Sequence, residues 1–153
     1  MYLLYRAPSA TEDSLLPAGY TLHTLSARWK NRHRLDKLDW MWHVLALGKY
    51  QKIVVSTTDG TVAHTSRVIG RCLKFPFLSK RAAEIGPCAT QEAFRGQGIY
   101  PAVIRHIRAH GGYAEYYMLV HEDNHSSIRG IEKAGFEKIG HIEKRHGRWI
   151  PLN

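Results

Sequence analysis

The sequence predicts an α+β protein, an α/β sandwich whose mixed, mostly antiparallel sheet carries helices on both faces. The segments run as a strand, a helix, three strands, a helix, a strand, a helix and two strands. Two pairs of strands flank short glycine-containing turns, which is typical of antiparallel hairpins. With 153 residues, 44% of them hydrophobic, the chain can bury one core, so we expect a single domain over residues 1–153.

The first half of the chain contains two strands, a long helix and a hairpin. Alternating and β-branched residues predict strands at 2–5 and 20–25, and a hairpin formed by 52–57 and 61–69. A helix is predicted over 26–47 because apolar residues recur there at steps of three and four. These residues are Leu35, Leu38, Trp42 and Leu45.

The second half alternates strands and helices and ends in a hairpin. In the strand-like run 83–90, Gly86 and Pro87 predict a bend where a ligand could approach the backbone. A helix with Ile99, Val103 and Ile107 on one face follows Gly98. The remaining elements are a strand at 116–120, a helix capped by Asn124 that buries Ile128, Ile131 and Ala134, and a hairpin of 136–142 with 148–150.

The charge and the absence of certain motifs narrow the class of protein. A formal net charge of +9 predicts an anionic partner, whether nucleic acid, membrane surface or phosphorylated small molecule. No run approaches the ~18 apolar residues of a membrane span, and residues 2–5 are too short for a signal-peptide core, so we expect a cytoplasmic protein. Cys72 and Cys88 have no CxxC spacing and are expected to be free thiols.

Two histidine pairs have the four-residue spacing that a metal ion could use. They are His106 with His110, and His121 with His125. The first pair lies on a helix and is expected to have no carboxylate or cysteine nearby, and the second straddles the end of a strand. We therefore expect no metal site.

The segment Arg95-Gly96-Gln97-Gly98 stands between a strand and a helix. Its glycines let the backbone approach a ligand, and the free N–H groups of the first helical turn attract anions. It lacks the GK[ST] ending of a Walker loop, and Pro101 breaks the GxGxxG pattern. By itself the segment is equally compatible with a purely structural turn.

Three further segments complete a wider pattern. They are Glu84-Ile85-Gly86-Pro87-Cys88-Ala89-Thr90, Asn124-His125-Ser126-Ser127 and Glu132-Lys133-Ala134-Gly135-Phe136. Together with the glycine loop, at this spacing, they resemble the GNAT superfamily of N-acetyltransferases over residues 83–142. The resemblance implies a sheet with a splayed parallel strand pair, and acetyl-CoA as the cosubstrate of an acetyltransferase.

The resemblance also implies which residues contact acetyl-CoA. The backbone of Cys88, Ala89 and Thr90 would run beside the pantetheine arm, in the gap between the two parallel strands. Asn124 and Ser127 would contact the pantetheine or phosphate portion. The pyrophosphate would be held by Arg95, Gly96, Gln97, Gly98, Ile99 and Tyr100, although Tyr100 stands where the family has glycine or alanine.

Catalysis in this family is direct attack of an amine on acetyl-CoA, which needs a base and an acid. By the resemblance Glu84 is the base; the alternative is a solvent-facing strand glutamate. The family's acid is a tyrosine seven residues after the asparagine, and Ile131 occupies that position here. Water or Tyr116, Tyr117 or His121 then remain as proton donors.

The acceptor is the least defined partner. His64 and Ser66 lie on a strand where the family shapes its acceptor pocket, though polar residues also alternate on a half-exposed strand. The words AHTSRV, EIGPC and GIYPAVI resemble acetyltransferases of cell-surface polysaccharide synthesis, which suggests an amino sugar or a nucleotide-linked amino sugar. A protein amine is the alternative acceptor.

A small basic nucleic-acid-binding module is the alternative from another class. The basic run from Arg28 to Arg34 with Lys37, together with Trp29 and Trp40, could contact phosphates and bases. The same run also fits a solvated helix face, and no known nucleic-acid-binding motif accompanies it, so we do not expect nucleic acid as the partner. The apolar terminal segments leave room for a homodimer.

Overall fold

The computed structural model describes residues 1–26 and 29–152; Ala27, Arg28 and Asn153 lie outside the described residues. For residues 29 and 30 only the backbone is described, so the predicted roles of Arg28 and the Trp29 side chain are outside it too. The strands are β1 (Tyr2–Pro8), β2 (Tyr20–Ser26), β3 (Tyr50–Thr57), β4 (Val62–Gly70), β5 (Ala82–Ile85), β6 (Ala89–Thr90), β7 (Glu115–His121), β8 (Glu137–Arg145) and β9 (Arg148–Leu152). The α-helices are α1 (Lys37–Leu45), α2 (Ile99–His110) and α3 (His125–Lys133), with 3₁₀ helices at Trp29–Arg34 and Glu92–Phe94.

All the strands form one mixed sheet, which confirms the predicted α+β class. The order is β2-β3-β4-β5-β7-β1-β8-β9, with β6 paired to β4. Every described pairing is antiparallel except that of β5 with β7. On β7, Tyr116 and Met118 face the core under α2 and α3, whereas Tyr117 and Leu119 face a second core that contains Trp42 of α1. The helices therefore cover both faces of the sheet.

The N-terminal strand lies inside the sheet and not at its edge. β1 pairs with β7 on one side and with β8 on the other, and Leu3, Leu4 and Tyr5 are buried there. This apolar N-terminal segment packs into the core of its own chain, so it does not form the exposed dimer surface that the sequence allowed. The homodimer stays a prediction.

The helix predicted over residues 26–47 is wrong in its extent. The 3₁₀ helix ends at Arg34, and Asp36 then caps the start of α1. Asp36 and Asp39 form a capping box: the Asp36 carboxylate accepts the Asp39 N–H at 2.8 Å, and the Asp39 carboxylate accepts the Asp36 N–H at 2.9 Å. Of the predicted apolar stripe, Trp42 is buried, but Leu38 and Leu45 are 42% and 41% exposed. Spacing alone cannot show which part of an apolar stripe meets the sheet.

A buried ionic cluster holds α1 against β3 and β4. The fully buried Asp39 accepts hydrogen bonds from Lys52 Nζ at 2.7 Å and Arg67 Nε at 3.0 Å, and from the Tyr50 hydroxyl. Burial opposes ionisation, but the hydrogen bonds, first from Lys52 and then from Tyr50, lower the pKa of Asp39 to about 2. The carboxylate therefore stays charged and anchors α1.

The other predicted elements are confirmed with small changes at their ends. The bend expected at Gly86 and Pro87 divides the run 83–90 into β5 and β6. The predicted buried faces of α2 and α3 lie in the main core, with Ile99, Val103, Ile107, Ile131 and Ala134. None of the helices in the described part of the chain has the length and apolarity needed to cross a membrane.

Candidate active site

A cleft opens where the two parallel strands separate. β5 and β7 pair only from Ala82 and Glu115 to Glu84 and Tyr117. Beyond that point β7 continues to His121, while the other strand turns away at Gly86 and resumes as β6 beside β4. The cleft has a volume of about 320 Å³, and it confirms the predicted splayed strand pair.

Glu84 stands at the base of this cleft. Its side chain is 5% exposed and lines the cleft, and its Oε2 atom has no hydrogen-bond partner among the described residues. Burial raises the pKa of Glu84 to about 8, although Lys74 opposes the shift. Glu84 is therefore not the solvent-facing strand glutamate that the sequence left as an alternative. Its carboxyl is buried, and Oε2 accepts no hydrogen bond from the described residues.

Gly86 makes the room that Glu84 needs. A Cβ atom at residue 86 would lie 2.5 Å from Glu84 Oε1, which is closer than side-chain carbons approach. The glycine of the Glu-Ile-Gly sequence therefore has a local function, because it lets the carboxyl lie over the bend.

The glycine loop lies beyond the cleft, at the start of α2. Gly96 and Gly98 have φ angles of +76° and +77°, with nothing within 4 Å of a Cβ built on either. Arg95 donates from Nε to the carbonyl of Thr90 at 3.1 Å, and Gln97 accepts from the Tyr20 hydroxyl. These contacts fix the loop, and no side chain caps the start of the 12-residue α2, whose first N–H groups have no acceptor within the helix.

The predicted cosubstrate residues meet at this site. Cys88, Tyr100, Asn124 and Ser127 line the cleft, and Asn124 caps α3 by accepting the Ser127 N–H at 3.2 Å. Ala89 and Thr90 form β6, which among the described strands pairs with β4 alone, so its other edge is open to a ligand. Ile99 is buried in the core and offers the loop only its backbone.

His64 and Ser66 lie behind the cleft. Both are buried, and the two ring nitrogens of His64 lie 2.7 Å from Thr90 Oγ1 and 2.6 Å from Ser66 Oγ. Ser66 in turn donates to Cys88 Sγ at 3.2 Å. Burial lowers the pKa of His64 to about 4, so the ring is neutral and supports β6 and Cys88 from behind. Direct contact with an acceptor stays a prediction.

Tyr100 fills space that α3 leaves free. A Cβ atom at Gly130 would lie 2.4 Å from Tyr100 Cδ1, so the tyrosine ring fits because residue 130 is glycine. Burial raises the pKa of Tyr100 far above its usual value, and the electrostatic effect of Cys88 adds to this shift. A hydrogen bond with Ser127 opposes the shift. Ile131, at the family's tyrosine position, is buried in the core and does not line the cleft.

The sequence did not identify an aromatic wall on the opposite side of the cleft. It consists of Trp42, Phe75 and Trp149, with Trp42 and Phe75 stacked at 6.1 Å between ring centroids. Lys74 places its Nζ 4.4 Å from the Trp42 ring centroid. Trp42 was weighed as a base- or sugar-stacking residue but predicted to lie in the core. Because the three aromatic residues come from segments far apart in the chain, no local motif connects them.

The histidine pairs behave differently from each other. His121 ends β7 and lines the cleft, whereas His125 begins α3. His106 and His110 both contact the carboxylate of Asp13, so the argument that this pair has no carboxylate is wrong.

A mixed sheet split by a parallel strand pair, with a glycine loop and helix start beside the gap, is the GNAT fold, and the chain has this fold. A GNAT-family protein from Novosphingobium aromaticivorans DSM 12444 superimposes with a TM-score of 0.57 at 22% identity, over 90% of this chain and 59% of its own. A GCN5-related N-acetyltransferase from Sphaerobacter thermophilus superimposes with a TM-score of 0.61 at 16% identity, over 90% of this chain and 48% of its own.

Spermidine N-acetyltransferase from Vibrio cholerae, solved with CoA and spermine, gives a TM-score of 0.59 at 16% identity and covers 88% of this chain and 96% of its own. This chain thus spans about half to three-fifths of the first two similar structures and nearly all of the third. No family model matches the chain, and no curated protein matches it either.

Proposed function

We propose that this protein transfers the acetyl group of acetyl-CoA to a primary amine by direct attack in a ternary complex. The observation that carries the proposal is the Glu84 carboxyl, which is buried in the gap between the parallel strands and whose Oε2 atom has no hydrogen-bond partner in the described part of the chain. A buried carboxyl with an unsatisfied oxygen costs stability, which makes it a candidate functional group. A base with a pKa near 8 suits the removal of a proton from an ammonium group.

In this mechanism Glu84 accepts a proton from the ammonium group, and the free amine attacks the thioester carbonyl. The carbon–nitrogen bond forms and the carbon–sulfur bond breaks. The nitrogen then loses its second proton, which balances the proton that the CoA thiolate takes up, and the proton held by Glu84 returns to solvent. Backbone N–H groups along the open edge of β6 polarise the carbonyl. Burial raises the pKa of Cys88 to about 12, so its thiol stays protonated, which favours direct attack over an acetyl-cysteine intermediate.

Tyr100 is the proposed donor of the proton to the thiolate. Its side chain lines the cleft next to Cys88 and Ser127. Of the three side chains that the sequence left open, Tyr116 is buried with its hydroxyl against the Tyr113 N–H, and Tyr117 packs on Phe77. His121 lines the cleft and is the competing donor.

Tyr100→Phe is expected to lower kcat at least about 10-fold and to leave the Kd for CoA within about 3-fold, because only a proton donor is removed. Steady-state kinetics and CoA titration measure the two effects, and Tyr113→Phe, outside the cleft, serves as the matched control. An unchanged kcat for Tyr100→Phe together with a loss in His121→Gln would assign the donor to His121.

The proposed acceptor is an amino sugar, free or linked to a nucleotide. The support is the aromatic wall, in which Trp149 is partly exposed to the cleft and the buried Trp42 and Phe75 complete the apolar lining, since aromatic faces pack against the C–H faces of sugar rings. The net charge of +9 and Lys74 at the wall favour an anionic acceptor and disfavour a polyamine such as the spermine bound by the Vibrio cholerae enzyme. A protein amine would need an open groove for extended peptide.

The test is calorimetric titration with acetyl-CoA, with duplex DNA as a parallel ligand at the same salt, followed by acetylation assays on amino sugars, nucleotide-linked amino sugars, peptides and spermine. We expect saturable one-to-one binding of acetyl-CoA and product with the sugars. Absence of coenzyme binding, with salt-dependent DNA binding, would contradict the proposal and support the nucleic-acid-binding alternative.

A further inference from the structure

Two histidines of α2 and one aspartate of the β1–β2 loop meet at the C-terminal end of α2. His106 Nδ1 lies 3.1 Å from Asp13 Oδ1, and His110 Nε2 lies 2.7 Å from Asp13 Oδ2. The two imidazole rings are 4.5 Å apart between centroids. One ligand atom from each of the three residues falls within 4.8 Å of the other two.

This arrangement matches what a borderline divalent metal ion requires. Histidines four residues apart lie on one helix face and can chelate together. Bonds of about 2.0–2.1 Å in a tetrahedral zinc site place neighbouring ligand atoms about 3.4 Å apart. The distance of 3.1 Å from His106 to Asp13 would then lengthen by about 0.3 Å, and the distance of 2.7 Å from His110 to Asp13 by about 0.7 Å, which small side-chain rotations allow. His110 is also the last residue of α2, where the helix dipole favours a cation.

The ligands come from two segments that are held together by other contacts. Ser9 N–H donates to the carbonyl of Ala114 at 2.8 Å, and Ala10 N–H donates to that of Arg108 at 3.1 Å, which docks the beginning of the loop on the end of α2. The Ser14 N–H donates to Asp13 Oδ1 at 2.7 Å and orients the carboxylate. The three side chains are therefore positioned before any ion arrives.

We propose that Asp13, His106 and His110 bind Zn²⁺, or a divalent transition-metal ion with similar ligand preferences, and that the ion fastens the β1–β2 loop to α2. The three side chains provide two nitrogens and one carboxylate oxygen, and water completes the coordination. The side chains are 45%, 25% and 54% exposed, respectively, so an ion reaches them from solvent. The role is structural, because the site lies at the end of α2 opposite the glycine loop.

The experiment uses untagged, chelator-treated full-length protein titrated with Zn²⁺ against a chromophoric zinc indicator, with Mg²⁺ as a negative control. We expect one equivalent of Zn²⁺ to bind and Tm to rise with Zn²⁺. Asp13→Asn, His106→Gln and His110→Gln should each weaken binding at least about 10-fold and remove the rise in Tm. His23→Gln, an exposed histidine on β2, is the matched control.

Two results would overturn the site. The first is no stoichiometric binding by the wild-type protein. The second is Zn²⁺ binding that persists in all three variants, which would assign the ion to other residues. Both readouts are independent of acetyl transfer, so failure of the proposed function would leave this test intact.

Discussion

Replacing Glu84 with glutamine is expected to lower kcat/KM for acetyl transfer by about 10²-fold or more at pH 8, because the amide cannot accept the proton of the ammonium group. The wild-type rate should rise with pH until Glu84 ionises near its pKa of about 8. The variant should lose that limb of the profile. Rates measured from pH 6 to 10 with saturating acetyl-CoA show both effects.

The matched control is Glu115→Gln, on the neighbouring strand β7 and outside the cleft. We expect it to keep both the rate and the pH profile. A Glu84→Gln variant with an unchanged pH profile would remove Glu84 from the role of base, even if its rate were lower.

The same substitution should change stability in the opposite direction. Glu84 has an ordinary pKa of 4.5 and a folded-state pKa of about 8, so the native state binds its proton more tightly than the unfolded chain. The wild-type free energy of unfolding therefore falls as pH rises through this window, by about 5 kcal/mol in total. Glutamine does not titrate, so Glu84→Gln should melt higher than wild type at pH 8.5. A lower Tm there would show that the carboxylate has a stabilising partner.

Gly98→Asp is expected to raise the Kd for CoA at least about 100-fold, since it places a carboxylate where the pyrophosphate would bind. The backbone at residue 98 is left-handed, with φ of +77°, and aspartate tolerates this region better than most residues. The loss of affinity should therefore come from charge and not from unfolding.

Gly60→Asp is the matched control for this variant. Gly60 has φ of +88° and equally open space around its Cβ position, but it lies in the β3–β4 turn. Both variants should unfold cooperatively with similar Tm, and only Gly98→Asp should lose CoA in calorimetric titration. Retained affinity in Gly98→Asp would contradict the assignment of the phosphate loop.

Local sequence was sufficient for features that depend on hydrogen bonds within a few residues. The bend at Gly86 and Pro87, the loop at Gly96 and Gly98 and the cap at Asn124 were predicted because glycine conformations and capping oxygens act over one to four positions. The extent of α1 was predicted wrongly because the capping box of Asp36 and Asp39 starts the helix inside a stretch whose apolar spacing is helical throughout.

The candidate site divides in the same way. The roles of Glu84 and of the loop from Arg95 to Tyr100 were predicted from the resemblance to the GNAT superfamily, whose motifs are continuous in sequence, and they stay predictions. The aromatic wall was not predicted, because Trp42, Phe75 and Trp149 come from three distant segments that meet only once the sheet has formed. Asp13 reached His106 and His110 across 93 positions or more for the same reason.

The sequence by itself determined the α+β class and the positions of most element boundaries, since these depend on local backbone preferences and periodicity. Tertiary structure decided that β1 lies between β7 and β8, that Glu84 is buried with no hydrogen-bond partner for Oε2 among the described residues, and which residues line the cleft with it. These outcomes depend on how segments distant in sequence pack together and exclude water, which no local sequence pattern predicts.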